Sequence, residues 1–175
     1  MCAIDFFDEG NKQSTKKELF GLCDDDNKQP AYIDSDISNK ETKWIGIVIN
    51  ETQKEVLFYP VDNCIKLIRP DGSMAQRCEG ILRSDSNTLI FTELKDRKVL
   101  PAVWLKEAES QIIETLKFFL DNYKSNNYKI KAWISNKQLT NPNYYQQISD
   151  FKALTKQLFG NRLGYTLYID RRIKI

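Results

Sequence analysis

A chain of 175 residues with 41% apolar and 29% charged side chains has enough material for one sizeable core and reads as a single domain. Its formal net charge is +2 and it contains no histidine, which excludes Ser-His-Asp and Cys-His catalysis, histidine-ligated zinc and histidine-based metal nucleases. No apolar run approaches the roughly 18 residues of a membrane-spanning helix, and the opening Met1-Cys2-Ala3-Ile4-Asp5 lacks a basic-then-apolar leader pattern, so a cytoplasmic location is expected.

Residues 1–43 are polar and mixed. Within them Ser14 or Thr15, followed by Glu18, resembles a capping box and predicts a short helix through Leu22. Asp24-Asp25-Asp26-Asn27 would end it as a solvated acidic turn. The run lacks the alternating ligands, central glycine and final glutamate of a calcium loop. Trp44–Ile49 and Glu55–Tyr59 read as strands joined by a turn at Asn50-Glu51-Thr52, a β-hairpin, with Pro60 as its stop. Cys64–Ile68 is apolar, and Arg69-Pro70-Asp71-Gly72-Ser73 is a turn by composition. Arg77–Arg83 is a further short strand, Asp85-Ser86-Asn87 its turn, and Leu89–Lys95 the next strand.

Pro101 then opens a helix at the position where proline is tolerated. Leu105, Ala108, Ile112, Leu116 and Phe119 recur along it at helical spacing as far as about Tyr123. Tyr128–Ile134 alternates as a strand and 136–143 is a loop. A helix spans 144–159, with Ile148, Phe151, Leu154 and Leu158 on one side and Gly160 as its C-cap. Tyr165–Ile169 and Arg172–Ile175 close the chain as strands. A β-meander followed by helix, strand, helix, strand predicts an α/β (α+β) fold in which helices flank a mixed sheet. The polar segment 1–43 would precede a core over 44–175. Trp44, Trp104 and Trp133 are expected in or near that core.

The chemistry centres on Leu89–Lys95. Residues two apart in a strand share a face, so Glu93 and Lys95 project side by side from an otherwise apolar strand. A carboxylate can hold a divalent cation there, and the amine can orient water or stabilise charge on phosphate. Glu79 lies in the preceding strand, and antiparallel pairing would bring it near Glu93. Two carboxylates and a lysine can chelate Mg2+ (or Mn2+) and leave water positions for substrate. Gln111, with Thr115 one turn later on the same helix face, can deliver an amide to the edge of such a site.

Four cysteines (Cys2, Cys23, Cys64, Cys78) form no C-x-x-C pair and read as small packed residues. Charge is unevenly spread. Residues 1–62 hold 7 Lys+Arg against 13 Asp+Glu, 63–123 hold 9 of each, and 124–175 hold 10 against 2. The basic last third, with Arg171, Arg172 and Lys174, could meet a phosphate backbone or form a solvated edge. Tyr144-Tyr145 and Phe118-Phe119 could stack on bases but suit core packing better.

At Glu79, Glu93-Leu94-Lys95 and Gln111 the chain resembles the PD-(D/E)xK nuclease superfamily. It is similar in particular to small stand-alone bacterial proteins with a Cys-acid-apolar strand, here Cys78-Glu79-Gly80-Ile81-Leu82, before an apolar-Glu-Leu-Lys strand. The resemblance spans roughly residues 60–135. It implies a restriction-endonuclease-like core and magnesium-dependent phosphodiester hydrolysis in DNA, less favourably RNA. Glu79 and Glu93 would be the metal ligands, and Glu79, Glu93, Lys95 and Gln111 the catalytic set. The first ligand of that pattern is usually Asp, so Asp62 or Asp71 is an alternative to Glu79. The family also includes members without catalysis, which makes a protein-binding module of immunity or antitoxin type the second reading. Nothing in the sequence specifically supports a structural or secretion-associated subunit.

Overall fold

The computed structural model describes residues 4–25, 28–98, 101–123, 128–138, 144–160 and 166–175. The strands are β1 (Gln13–Thr15), β2 (Leu19–Cys23), β3 (Tyr32–Asp34), β4 (Gly46–Ile49), β5 (Val56–Pro60), β6 (Gly80–Arg83), β7 (Thr88–Lys95), β8 (Lys129–Asn136), β9 (Thr166–Ile169) and β10 (Arg172–Lys174). The helices are α1 (Pro101–Asn122) and α2 (Tyr145–Phe159). A six-stranded mixed sheet has the order β1-β5-β6-β7-β8-β9, and a four-stranded sheet the order β10-β4-β2-β3. The fold is α+β.

β7 explains the layering. All eight of its residues are buried, and they run apolar without strict alternation because both faces are covered. Leu89 and Phe91 pack with Trp104, Leu105, Ala108, Ile112 and Leu116 of α1. Ile90 and Leu94 turn the other way and pack with Phe20, Leu22 and Val48 of the second sheet, together with Trp133 of β8. The helices therefore cover one face of the large sheet and the small sheet covers the other. β5, β6 and β7 pair antiparallel in sequence, while β7–β8 and β8–β9 pair parallel across α1 and α2. No described helix is long and apolar enough to cross a membrane.

Three expected features differ. No helix forms around residues 14–22; β1 and β2 occupy that stretch. Phe20 and Leu22 alternate into the sandwich, whereas Gly21 lies against Trp44, where a Cβ would come within 2.0 Å of the indole. Burial with period two has outweighed a local capping signal. Residues 1–43 thus do not stand before the core: within that stretch Phe6 is fully buried against the ring of Phe119, and the small sheet is built partly from β2 and β3.

Second, the strands over 44–49 and 55–59 do not form a hairpin. β4 joins the small sheet and β5 the large one. Asn50, 1% exposed, holds the crossover by donating from its amide to the carbonyls of Lys54 (2.8 Å) and Lys17 (3.3 Å). Each strand gains a fully covered inner face by parting, which a two-stranded hairpin could not supply. Third, the strand expected over 77–83 begins only at Gly80, because Arg77 and Cys78 are held by α1 instead. The turn at 69–73 forms, with Gly72 at φ 82° and an Ile68–Met74 bridge. Tyr165, Asp26, Asn27 and residues 139–143 lie outside the described residues.

Trp44, Trp104 and Trp133 are all buried, as expected. Of the aromatic pairs, Phe119 and Tyr144 are buried, whereas Tyr145 is exposed. β10 runs parallel to β4 at the edge of the small sheet, with Lys174 paired to Glu51 at 2.6 Å.

Candidate active site

The β6–β7 register sets Gly80 opposite Thr92 and Ile81 opposite Phe91. Continued by one residue, it brings Glu79 opposite Glu93. Glu93 and Lys95 share the parity of Leu89 and Phe91, the α1-facing residues of β7, and Glu79 shares that of Ile81. All three head groups therefore lie on the helix-covered face, where the end of β7 meets the start of β6.

α1 completes the cluster. The Lys95 ammonium lies 2.9 Å from Glu93 Oε1, donates to Gln111 Oε1 at 2.8 Å and approaches Glu107 Oε1 at 3.5 Å. Gln111 Nε2 donates to the Arg77 carbonyl at 3.1 Å. One turn later the Thr115 hydroxyl accepts from the Cys78 amide (2.8 Å) and donates to the Gln111 carbonyl (2.8 Å). The residues before Glu79 are thus tied to the same helix that holds Lys95. Thr115→Val keeps the side-chain shape but leaves the buried Cys78 amide without an acceptor. It should lower stability by about 1–3 kcal/mol, measurable by chemical denaturation.

The electrostatics are those of carboxylates taken out of water. Glu93 is fully buried, and Glu79 and Lys95 are each 8% exposed. Burial, reinforced by the Glu93, Asp24 and Asp62 charges, pushes Glu79 up to about 9 despite Lys95. Burial likewise pushes Glu93 up to about 8, against the pull of Lys95. For Lys95, burial opposes the charged form, but the surrounding glutamates, Glu93 first, outweigh it and raise its pKa. The ammonium is ion-paired with Glu93 Oε1, and no other described donor reaches either buried oxygen of that carboxylate. A desolvated carboxylate in that condition favours a cation.

Magnesium is commonly held by one or two carboxylates, with water and substrate phosphate supplying the remaining oxygens. Glu79 and Glu93 fit that donor set. Among the described residues no group of three or more His, Cys, Asp or Glu side chains could hold a metal ion by itself. The alternatives for the first acid separate clearly. Asp71 caps its own turn, accepting from the Ser73 amide (2.9 Å) and hydroxyl (2.7 Å) on the surface. Asp62 lies near enough for its charge to act on Glu79 and Glu93, but it is engaged by Arg77 at 2.7 Å.

Glu107 and the Arg77 carbonyl are the members that sequence reasoning missed. Glu107, Gln111 and Thr115 recur every four residues, a polar stripe down one side of α1 in which Glu107 is the first step. No such signal marks a backbone carbonyl. No family model matches the chain, and no curated protein or solved structure matches it either.

Proposed function

We propose that this chain is a PD-(D/E)xK-type, magnesium-dependent nuclease that hydrolyses phosphodiester bonds in DNA in the cytoplasm. The observation that carries the reading is the fully buried Glu93 carboxylate, whose one described partner is the Lys95 ammonium, with Glu79 on the same face. Support comes also from the order of elements: Glu79 just before β6, then the antiparallel β7 bearing Glu93-Leu94-Lys95, then α1 bearing Gln111, then the parallel β8.

Glu79 and Glu93 would hold Mg2+ (or Mn2+). When bound, the ion polarises the scissile phosphate and makes water acidic enough to supply the nucleophile. Lys95 stays protonated, so it acts as a hydrogen-bond donor to the attacking water or to a phosphate oxygen and not as a base. Gln111 keeps the lysine head group in place through its carbonyl oxygen while its amide grips the Arg77 carbonyl. Burial among apolar side chains strengthens each of these interactions.

The near-complete burial of Glu79, Glu93 and Lys95 favours a second reading, a catalytically silent module that binds a partner protein, as immunity or antitoxin proteins do. Titration calorimetry with magnesium and manganese at pH 8 separates the two. Saturable binding in the low-millimolar range or tighter that Glu93→Gln removes is expected. Absence of binding at that pH would leave the protein-binding module as the reading.

A further inference from the structure

We propose that Arg97 is the residue that contacts a backbone phosphate of the nucleic acid beside the reacting one, and that Asn136 positions it. The inference rests on the nuclease reading and extends it to substrate binding. The one described cation of the cluster, Lys95, is already engaged by Glu93 and Glu107, with Glu79 beside them. A phosphodiester strand approaching it needs a cation outside the cluster.

Arg97 lies two residues beyond Lys95. Its side chain is exposed and makes no hydrogen bond or ion pair among the described residues. Its backbone is bracketed by one buried side chain. Asn136, 2% exposed and paired in register with Lys95, accepts from the Arg97 amide at 3.1 Å and donates to the Arg97 carbonyl at 3.0 Å. The same Asn136 oxygen accepts from the Gln138 amide at 3.1 Å. The intervening acid is engaged elsewhere: Asp96 accepts from Gln138 Nε2 at 2.6 Å and lies 3.8 Å from Lys137.

A buried amide spent on both backbone groups of a surface arginine fixes where that arginine starts. A planar guanidinium presents paired donors that match phosphate oxygens. A fixed mount reduces the ordering cost of making that contact.

The test is fluorescence anisotropy of a labelled DNA duplex with the full chain, in calcium to prevent cutting, over a series of salt concentrations. Arg97→Gln should lower the slope of log affinity against log salt by about 0.9, the share of one phosphate contact, and weaken binding about eightfold at 0.1 M salt. Arg97→Lys should restore most of the slope. Asn136→Ala, with its folded state checked by circular dichroism, should lose affinity while Lys152→Gln on α2 does not. Binding by the unaltered chain with an Arg97→Gln slope equal to its own would overturn this inference and leave the nuclease reading standing. No binding of the duplex by the unaltered chain would overturn both.

Discussion

Lys95→Ala is expected to abolish metal-dependent cleavage, lowering the rate by at least about 10²–10³-fold, the usual cost of removing a preorganised charge-stabilising donor. The magnitude follows from the site's construction. The ammonium contacts Glu93, Gln111 and Glu107 at once, so no neighbouring cation can take over its location. Lys95→Arg should fail to rescue, because a planar fork cannot replace a compact ammonium inside a buried cluster shaped around it. Loss of activity through misfolding is separable. Without Lys95, Glu93 can take up a proton, and its pKa already lies high, so the variant should stay folded at pH 6 by circular dichroism. Cleavage of a DNA duplex in magnesium is the readout, and an unchanged rate in Lys95→Ala would remove the active-site assignment altogether.

The second large effect is on stability. Glu79 and Glu93 have folded-state pKa values of about 9 and about 8, above the ordinary value of 4.5. A carboxyl whose pKa is raised by folding binds more protons in the native than in the unfolded chain. Its contribution is therefore complete below the unfolded pKa and is lost as pH rises toward the folded one. Metal-free protein should therefore lose stability as pH rises from about 5, by at most about 1 kcal/mol per pH unit for each such group, with the slope flattening as each folded-state value is approached. Glu109, pushed up to about 7 by burial and by Asp150, adds to the slope in the lower part of that window. Lys95 titrates above it. Urea denaturation from pH 5 to 9, with EDTA present, measures the slope. Glu79→Gln and Glu93→Gln should each remove one group's share, and a flat profile in the unaltered chain would contradict the buried carboxylates. At the acid end the sign reverses. Asp85 and Glu114 have lowered pKa values, through the Asn87 and Thr88 amides against the effect of burial in the first case and through Arg69 in the second. Their contribution is lost as pH falls below about 4.

Much of this arrangement could be read before any coordinates. The run Leu89–Lys95 identifies a central strand by its apolar continuity, and the period of two within it puts Glu93 and Lys95 on one face. The three-to-four spacing from Leu105 to Phe119 identifies α1, and the four-residue step puts Gln111 and Thr115 together. Proximity of Glu79 to Glu93 needed only a short turn between adjacent strands. All of these are local patterns, carried by chain connectivity within a few residues.

The remainder came from packing between distant segments. β1 to β3 have short, polar-flanked patterns that a capping signal can imitate, and they become strands because the small sheet gives Phe20 and Leu22 a place to be buried. β4 and β5 separate because two sheets bury more apolar surface than a hairpin does. Glu107, the Arg77 carbonyl and the Asn136 bracket on Arg97 acquire their roles only when α1 and β8 lie beside the end of β7. Side-chain alternation along one strand is dictated by backbone stereochemistry and is therefore written in the residues themselves. Which strand neighbours which, and whether a carboxylate ends up in water or in an apolar interior, depends on the summed burial of the whole chain, and that sum exists only in the folded molecule.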